Sequence, residues 1–198
     1  MTEWWTYRPS DFLMFSPTTW WRLVDSYNRA AWPGQVLMLA AGLLLLWLAL
    51  RPRANAGRIV ALVLAVAWLW VGWAFHWQRY ASINWAAAYF AAAFGMQAVL
   101  LLVAGVRADA LDAPDVNSRM RRAGLAIAVA GVLLYPMIAA ATGRPWTQAE
   151  VAGLMPEPTA LATIGLLLAT AQRYRSWLLV IPVLSLALGW MTAWTLMQ

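Results

Sequence analysis

Cysteine is absent from this chain, which excludes disulfides, iron–sulfur clusters, thiolate metal sites and palmitoyl or prenyl anchors. Lysine is absent too, so the formal charge of +6 comes entirely from arginine. The single histidine, His76, cannot make a bis-histidine haem within one chain, and a zinc site would need carboxylates that no neighbouring helix presents. Charge of either sign is scarce at 11% of residues, where ordinary globular domains carry roughly a quarter. No nucleophile elbow, HExxH, P-loop or dinucleotide fingerprint occurs, so an enzyme is the least supported class, and no cofactor or catalytic residue is nominated.

What is present is apolar. Hydrophobic residues make up 63% of the 198, with a mean hydropathy of +0.62. A helix needs about 20 apolar residues to cross a hydrocarbon core of about 30 Å, so about six spans and their loops would fill nearly the whole chain. The expected fold is all-α: a polytopic transmembrane helical bundle over 32–198, preceded by an interfacial arm over 1–31. The pI near 10.5 does not make this a nucleic-acid binder. Its arginines sit at the edges of apolar segments, where they anchor helices, and form no solvated basic face. The expected partners are the lipid bilayer and either further copies of the chain or another membrane subunit.

Punctuation residues mark the elements. Ser16 before Pro17 reads as an N-cap with proline at the first helical position, and Trp20, Leu23, Val24, Tyr27 and Ala31 then share one side. Such a helix would lie flat at headgroup level. Spans are predicted over 32–50, 59–75, 84–106, 123–141, 158–171 and 177–197, with kinks at Pro136 and Pro182. Ala87, Ala91 and Gly95 have the small-residue spacing that lets membrane helices approach closely. Thr147-Gln148-Ala149-Glu150 is a capping-box pattern and predicts a short helix through Leu154. The segments 58–102 and 121–168 each read as a basic edge, a span, a polar outer loop and a returning span, a hint of a repeated hairpin that any two such hairpins could share.

Nine arginines (Arg51, Arg53, Arg58, Arg107, Arg119, Arg121, Arg122, Arg173, Arg175) fall on one side of this topology and five (Arg8, Arg22, Arg29, Arg79, Arg144) on the other. The positive-inside rule then places both termini outside the cytoplasm of a bacterial inner membrane. The chain starts without the basic and apolar regions of a cleaved signal peptide, so the N-terminus is expected to be retained.

Three stretches carry a family resemblance: Trp4-Trp5-Thr6-Tyr7-Arg8-Pro9-Ser10-Asp11-Phe12; Ile83-Asn84-Trp85-Ala86-Ala87; and Arg144-Pro145-Trp146 through Glu150 with Gly153 to Thr159. Together they resemble a bacterial membrane family catalogued as domain of unknown function 6064. The resemblance covers nearly the whole chain and implies no activity or catalytic residue.

Candidate sites follow from polar groups in apolar surroundings. The fifth span, at 1.5 Å per residue, reaches only about 22 Å, and Val151 to Met155 before it are apolar, so the outer loop is a candidate to dip into the membrane. The amino end of that helix would then face a protected cavity, a position that favours anions or polar solutes; the plain alternative is that Glu157 merely caps it. Gln97 at mid-span either joins two helices or lines a solute path. His76 with Arg79, Tyr80 and Asn84 forms a polar outer cluster or pH-sensitive gate, unless it is an ordinary interfacial histidine at a helix end. Arg144, Glu150 and Glu157 complete the candidate path.

Trp70, Trp73, Trp77, Trp85 and Trp146 form either an aromatic vestibule for a cation, quinone or pigment, or an interfacial belt, and the belt is favoured because a site also needs convergent polar groups. Asp109, Asp112 and Asp115 could hold Mg²⁺, but Pro114 breaks any helix there, and a solvated loop balancing nearby arginines is preferred. Two functions remain: a small-solute channel or transporter, and a noncatalytic subunit or scaffold that meets lipid, quinone or pigment.

Overall fold

The computed structural model describes residues 15–51, 53, 55–106, 111, 116–171 and 174–196. The tryptophans and arginine of the arm before Phe15, the Asp109, Asp112 and Asp115 triplet, and Arg107 and Arg173 lie outside them. The described residues form eight α-helices and no strand. They are α1 (Pro17–Ala30), α2 (Gly34–Leu50), α3 (Ala56–Trp70), α4 (Ala87–Val106), α5 (Ser118–Val129), α6 (Met137–Ala141), α7 (Pro156–Thr170) and α8 (Arg175–Leu196). Three are long and apolar enough to cross a membrane (α3 with its continuation to Ser82, α4 and α8), or up to four when the α1–α2 pair, bent by 84°, counts as one span.

Capping at the start of α1 follows the sequence: Ser16 Oγ accepts from the Thr19 amide at 3.2 Å, with Pro17 in the first turn. The apolar face of α1 turns to protein rather than lying bare, because Trp20, Val24 and Tyr27 are buried in the common core. Trp20 meets Phe75 and Tyr80 edge to face. Asn28 on the same face donates Nδ2 to the carbonyls of Thr147 (2.8 Å) and Ala149 (2.9 Å), and Tyr27 donates to that of Leu154 (3.3 Å). Those carbonyls belong to a stretch without helix, so α1 supplies the donors its backbone lacks.

Two hairpins within the bundle are built alike. In each, the outgoing α-helix loosens into a π-helical segment (Val71–Trp77 after α3, Ala130–Leu134 after α5), a 3₁₀ turn follows in the connection, and a helix returns. Pro136 explains the second loosening: without an N–H it cannot continue the ladder, and Tyr135 upstream bonds five residues back, to the Ala130 carbonyl, at 2.8 Å. At the far end, Arg121 of α5 donates to the free carbonyls of Ala49 and Leu50 that close α2.

The small-residue seam lies chiefly between α5 and α7. A Cβ placed on Gly124, Gly131 or Gly165 would collide with backbone atoms of the facing helix, so the two backbones touch directly. On α4 the stripe expected to pack works in part: Gly72 of the π segment rests on Ala91 and the backbone of Gly95, while the Gly95 Cβ direction faces open space. The short helix predicted from the capping box at 147–150 through Leu154 does not form. A single 3₁₀ turn, Trp146–Gln148, precedes extended chain, and Gly153 (φ +88°) makes a turn that sets the backbone against Met38. From Val151 to Ala160 every residue is buried, as α1, α2 and α7 enclose the segment.

Candidate functional site

The π segment of α3 places successive side chains, Ala74, Phe75 and His76, inside the protein, and leaves Trp73 and Trp77 outside. A π turn is wider than an α turn, which widens the buried arc of the helix, and such bulges often mark functional sites. His76 therefore sits within the bundle at 4% exposure, in the last turn of that segment. Its ring is ringed by others: Phe94 at 4.5 Å, Phe75 at 5.4 Å, Phe90 at 5.7 Å and Tyr80 at 5.9 Å. Neither imidazole nitrogen finds a hydrogen-bond partner among the described residues.

These aromatics wall one side of a cavity of about 660 Å³. Trp20 of α1 and the start of α7 (Pro156, Glu157) close one end, and α8 forms the opposite wall with Ser185, Gly189 and Thr192 turned inward. Glu157 is 8% exposed, one carboxylate oxygen lies against Gly189, and Oε2 has no hydrogen-bond partner. A side chain at Gly189 would occupy the carboxylate's place. Asn84 lines the cavity as well, donating Nδ2 to the Tyr80 hydroxyl at 2.8 Å while its Oδ1 accepts from the Ala86 amide.

The structure thus brings His76, Tyr80, Asn84 and Glu157 to one cavity and leaves the other candidates outside its lining. Gln97, fully buried, donates Nε2 at 3.0 Å to the carbonyl of Leu178. That carbonyl lies four residues before Pro182, which has no N–H to offer it, so Gln97 of α4 fills a gap that proline opens in α8. Arg144 stacks on Trp21 of α1 at 4.0 Å and donates Nε to Thr142. Burial raises the Glu150 carboxyl, in the loop before α7, to about 7 against the pull of Arg144. Arg79 lies at the rim of the bundle, half-buried.

The five tryptophans read as a vestibule do not line the cavity. Trp73, Trp77, Trp85 and Trp146 point outward, the last two at 66% and 69% exposure, and Trp70 donates its indole N–H to the Tyr27 hydroxyl at 3.1 Å. They are the ends of outward-facing positions, whereas the true lining aromatics, Trp20, Phe75, Tyr80, Phe90 and Phe94, come from three separate segments. The α8 wall did leave a signal: Ser185, Gly189 and Thr192 fall at i, i+4 and i+7 in an otherwise apolar helix.

Nor does α7 offer an anion site. Two of its first three residues, Pro156 and Pro158, have no N–H, and the residue between them carries a carboxylate. No arginine lines the cavity. Among the described residues, no group of three or more histidine, aspartate or glutamate side chains is placed to hold a metal ion.

A family model described as "Family of unknown function (DUF6064)" matches residues 17–197. No curated protein and no solved structure matches the chain.

Proposed function

The chain belongs to DUF6064, a family of unknown function that brings no activity with it, and we propose that it is a small-solute transporter or channel of the bacterial inner membrane, with the α3–α4–α8 cavity as its solute site. One observation carries the reading: His76 and Glu157, each more than nine-tenths buried and each with polar atoms that no described residue bonds, line a single aromatic cavity. Buried polar atoms cost free energy unless something bonds to them, and a bound solute does so. The cavity volume falls in the range of small-molecule sites, roughly 300–1,000 Å³.

In this reading the bundle has six spans: α2, α3 with its π segment, α4, α5 with α6, α7 and α8. A helix of α7's length covers only about 22 Å of a core of about 30 Å. The buried stretch 151–155 makes up the rest of the crossing, the kind of broken span that transporters use beside their solute sites. Outward-facing apolar side chains on α2, α4 and α8, among them Leu37, Val103 and Trp177, meet lipid, and α1 lies along the interface. Both termini face away from the cytoplasm, as the arginine distribution supports.

The second reading, a noncatalytic subunit that binds lipid, quinone or pigment, draws on the same cavity. Native mass spectrometry and an absorption spectrum of protein purified in mild detergent separate the two, since a colourless oligomer without companions counts against the subunit. Transport is tested in reconstituted vesicles, where Ala93→Trp, which fills the cavity from α4, is expected to stop solute-driven volume changes. Equal rates in wild type and variant would remove the cavity from the path. Topology is read by single cysteines in this cysteine-free chain: Ser82→Cys should react only from outside intact cells, and Ser118→Cys only after permeabilisation.

A further inference from the structure

We infer that the cavity selects a lipophilic organic monocation, with Glu157 as its counter-charge and Phe75, Phe90 and Phe94 as its apolar cradle. The inference rests on the reading of this cavity as a solute site and adds the charge of the solute. Its first ground is electrostatic. Among the described residues, Glu157 is the acid of the lining, no arginine shares the cavity, and no salt bridge or hydrogen bond engages Oε2.

The second ground is steric. Pro156 and Pro158 deny the helix start the N–H groups that would hold an anion, which leaves a carboxylate and aromatic faces as the features a ligand meets. Aromatic faces attract cations through their quadrupoles, most strongly where water is excluded. Gly189, without a side chain, lets the carboxylate seat directly against the α8 backbone, where any Cβ would collide with it. The remaining walls, Ile181, Leu184 and Leu188 of α8, are aliphatic and suit a bulky apolar body.

The test uses the full chain purified in dodecylmaltoside and two radiolabelled probes in equilibrium dialysis: tetraphenylphosphonium, a cation, and triphenylphosphine oxide, a neutral relative. The cation is expected to bind saturably and about tenfold more tightly than the oxide, a comparison that needs no variant. Glu157→Gln should lower cation affinity about tenfold and leave oxide binding unchanged. Ala93→Trp should abolish both. Equal affinity for the two probes, or unchanged cation binding by Glu157→Gln, overturns the monocation and leaves a cavity for neutral solutes. Binding of neither probe to the wild type overturns the cavity reading with it. Cation binding that survives Ala93→Trp places the cation elsewhere and overturns the assignment.

Discussion

The hairpins α3–α4 and α5–α7 have the same plan and different interiors. Glycines at 124, 131 and 165 bring the second pair to backbone contact, so nothing fits between its helices. The first pair adds aromatic rings to its close small-residue contacts at Gly72 and Gly105: Trp68 and Phe94 lie 4.2 Å apart by centroid, and His76 packs on the same phenylalanine. Close by, the start of α7 and α8 line a cavity with these aromatics. Side-chain volume at the facing positions, more than hydrophobicity, decides whether two apolar helices make a seam or the wall of a cavity. Lipid is as apolar as leucine, so packing is what separates the alternatives.

The sharpest way to break this contrast is to put the same methyl group into both hairpins. Gly165→Ala forces a Cβ into the backbone of Ala128 and Gly124, with an expected cost on the order of 3 kcal/mol in detergent unfolding. A variant as stable as wild type would show that the seam can open. Gly95→Ala, whose Cβ meets open space, is the matched control and belongs at the small end of the scale, within about 0.5 kcal/mol of wild type.

Between these extremes stands Gln97. Gln97→Leu should cost about 1–2 kcal/mol, because the carbonyl of Leu178 loses its donor. In a Pro182→Ala background, where the backbone of residue 182 can donate instead, most of that cost should vanish. Additive losses in the double-mutant cycle would show that the amide and the proline act separately.

A weaker effect is expected from pH. The Glu150 carboxyl is raised by burial, so the folded protein binds its proton more tightly than the unfolded chain. Its contribution to stability is therefore full below the ordinary glutamate range and falls as pH rises from about 4.5 to about 7. Unfolding temperature should drop over that window, and less steeply in Glu150→Gln. Parallel slopes in the two proteins would assign the pH dependence to other groups.

Much of the fold was legible because its signals are local. Ser16 and Pro17 start α1 where the sequence puts a cap, Pro136 interrupts the helix that contains it while α8 runs on through Pro182, and apolar runs mark the long helices. The capping-box pattern at 147–150 misled, because Asn28 of α1 takes the Thr147 and Ala149 carbonyls and holds the chain extended there. Of the site, His76, Asn84 and Glu157 stood out in sequence as polar residues in apolar surroundings. Their companions did not: Phe75, Phe90 and Phe94 read as ordinary bulk, while the more conspicuous tryptophans face outward.

By itself the sequence determined the helical class and the residues that end each helix, since hydropathy, prolines and caps act within a few positions along the chain. The family assignment, over residues 17–197, is likewise a property of sequence. Tertiary structure decided which faces meet: that glycines close one hairpin, that Gln97 finds the carbonyl Pro182 orphans, and that His76 and Glu157 share a cavity. Those outcomes depend on contacts between positions some eighty residues apart in the chain (His76 and Glu157, Gln97 and Leu178), and no local pattern encodes which helices will become neighbours.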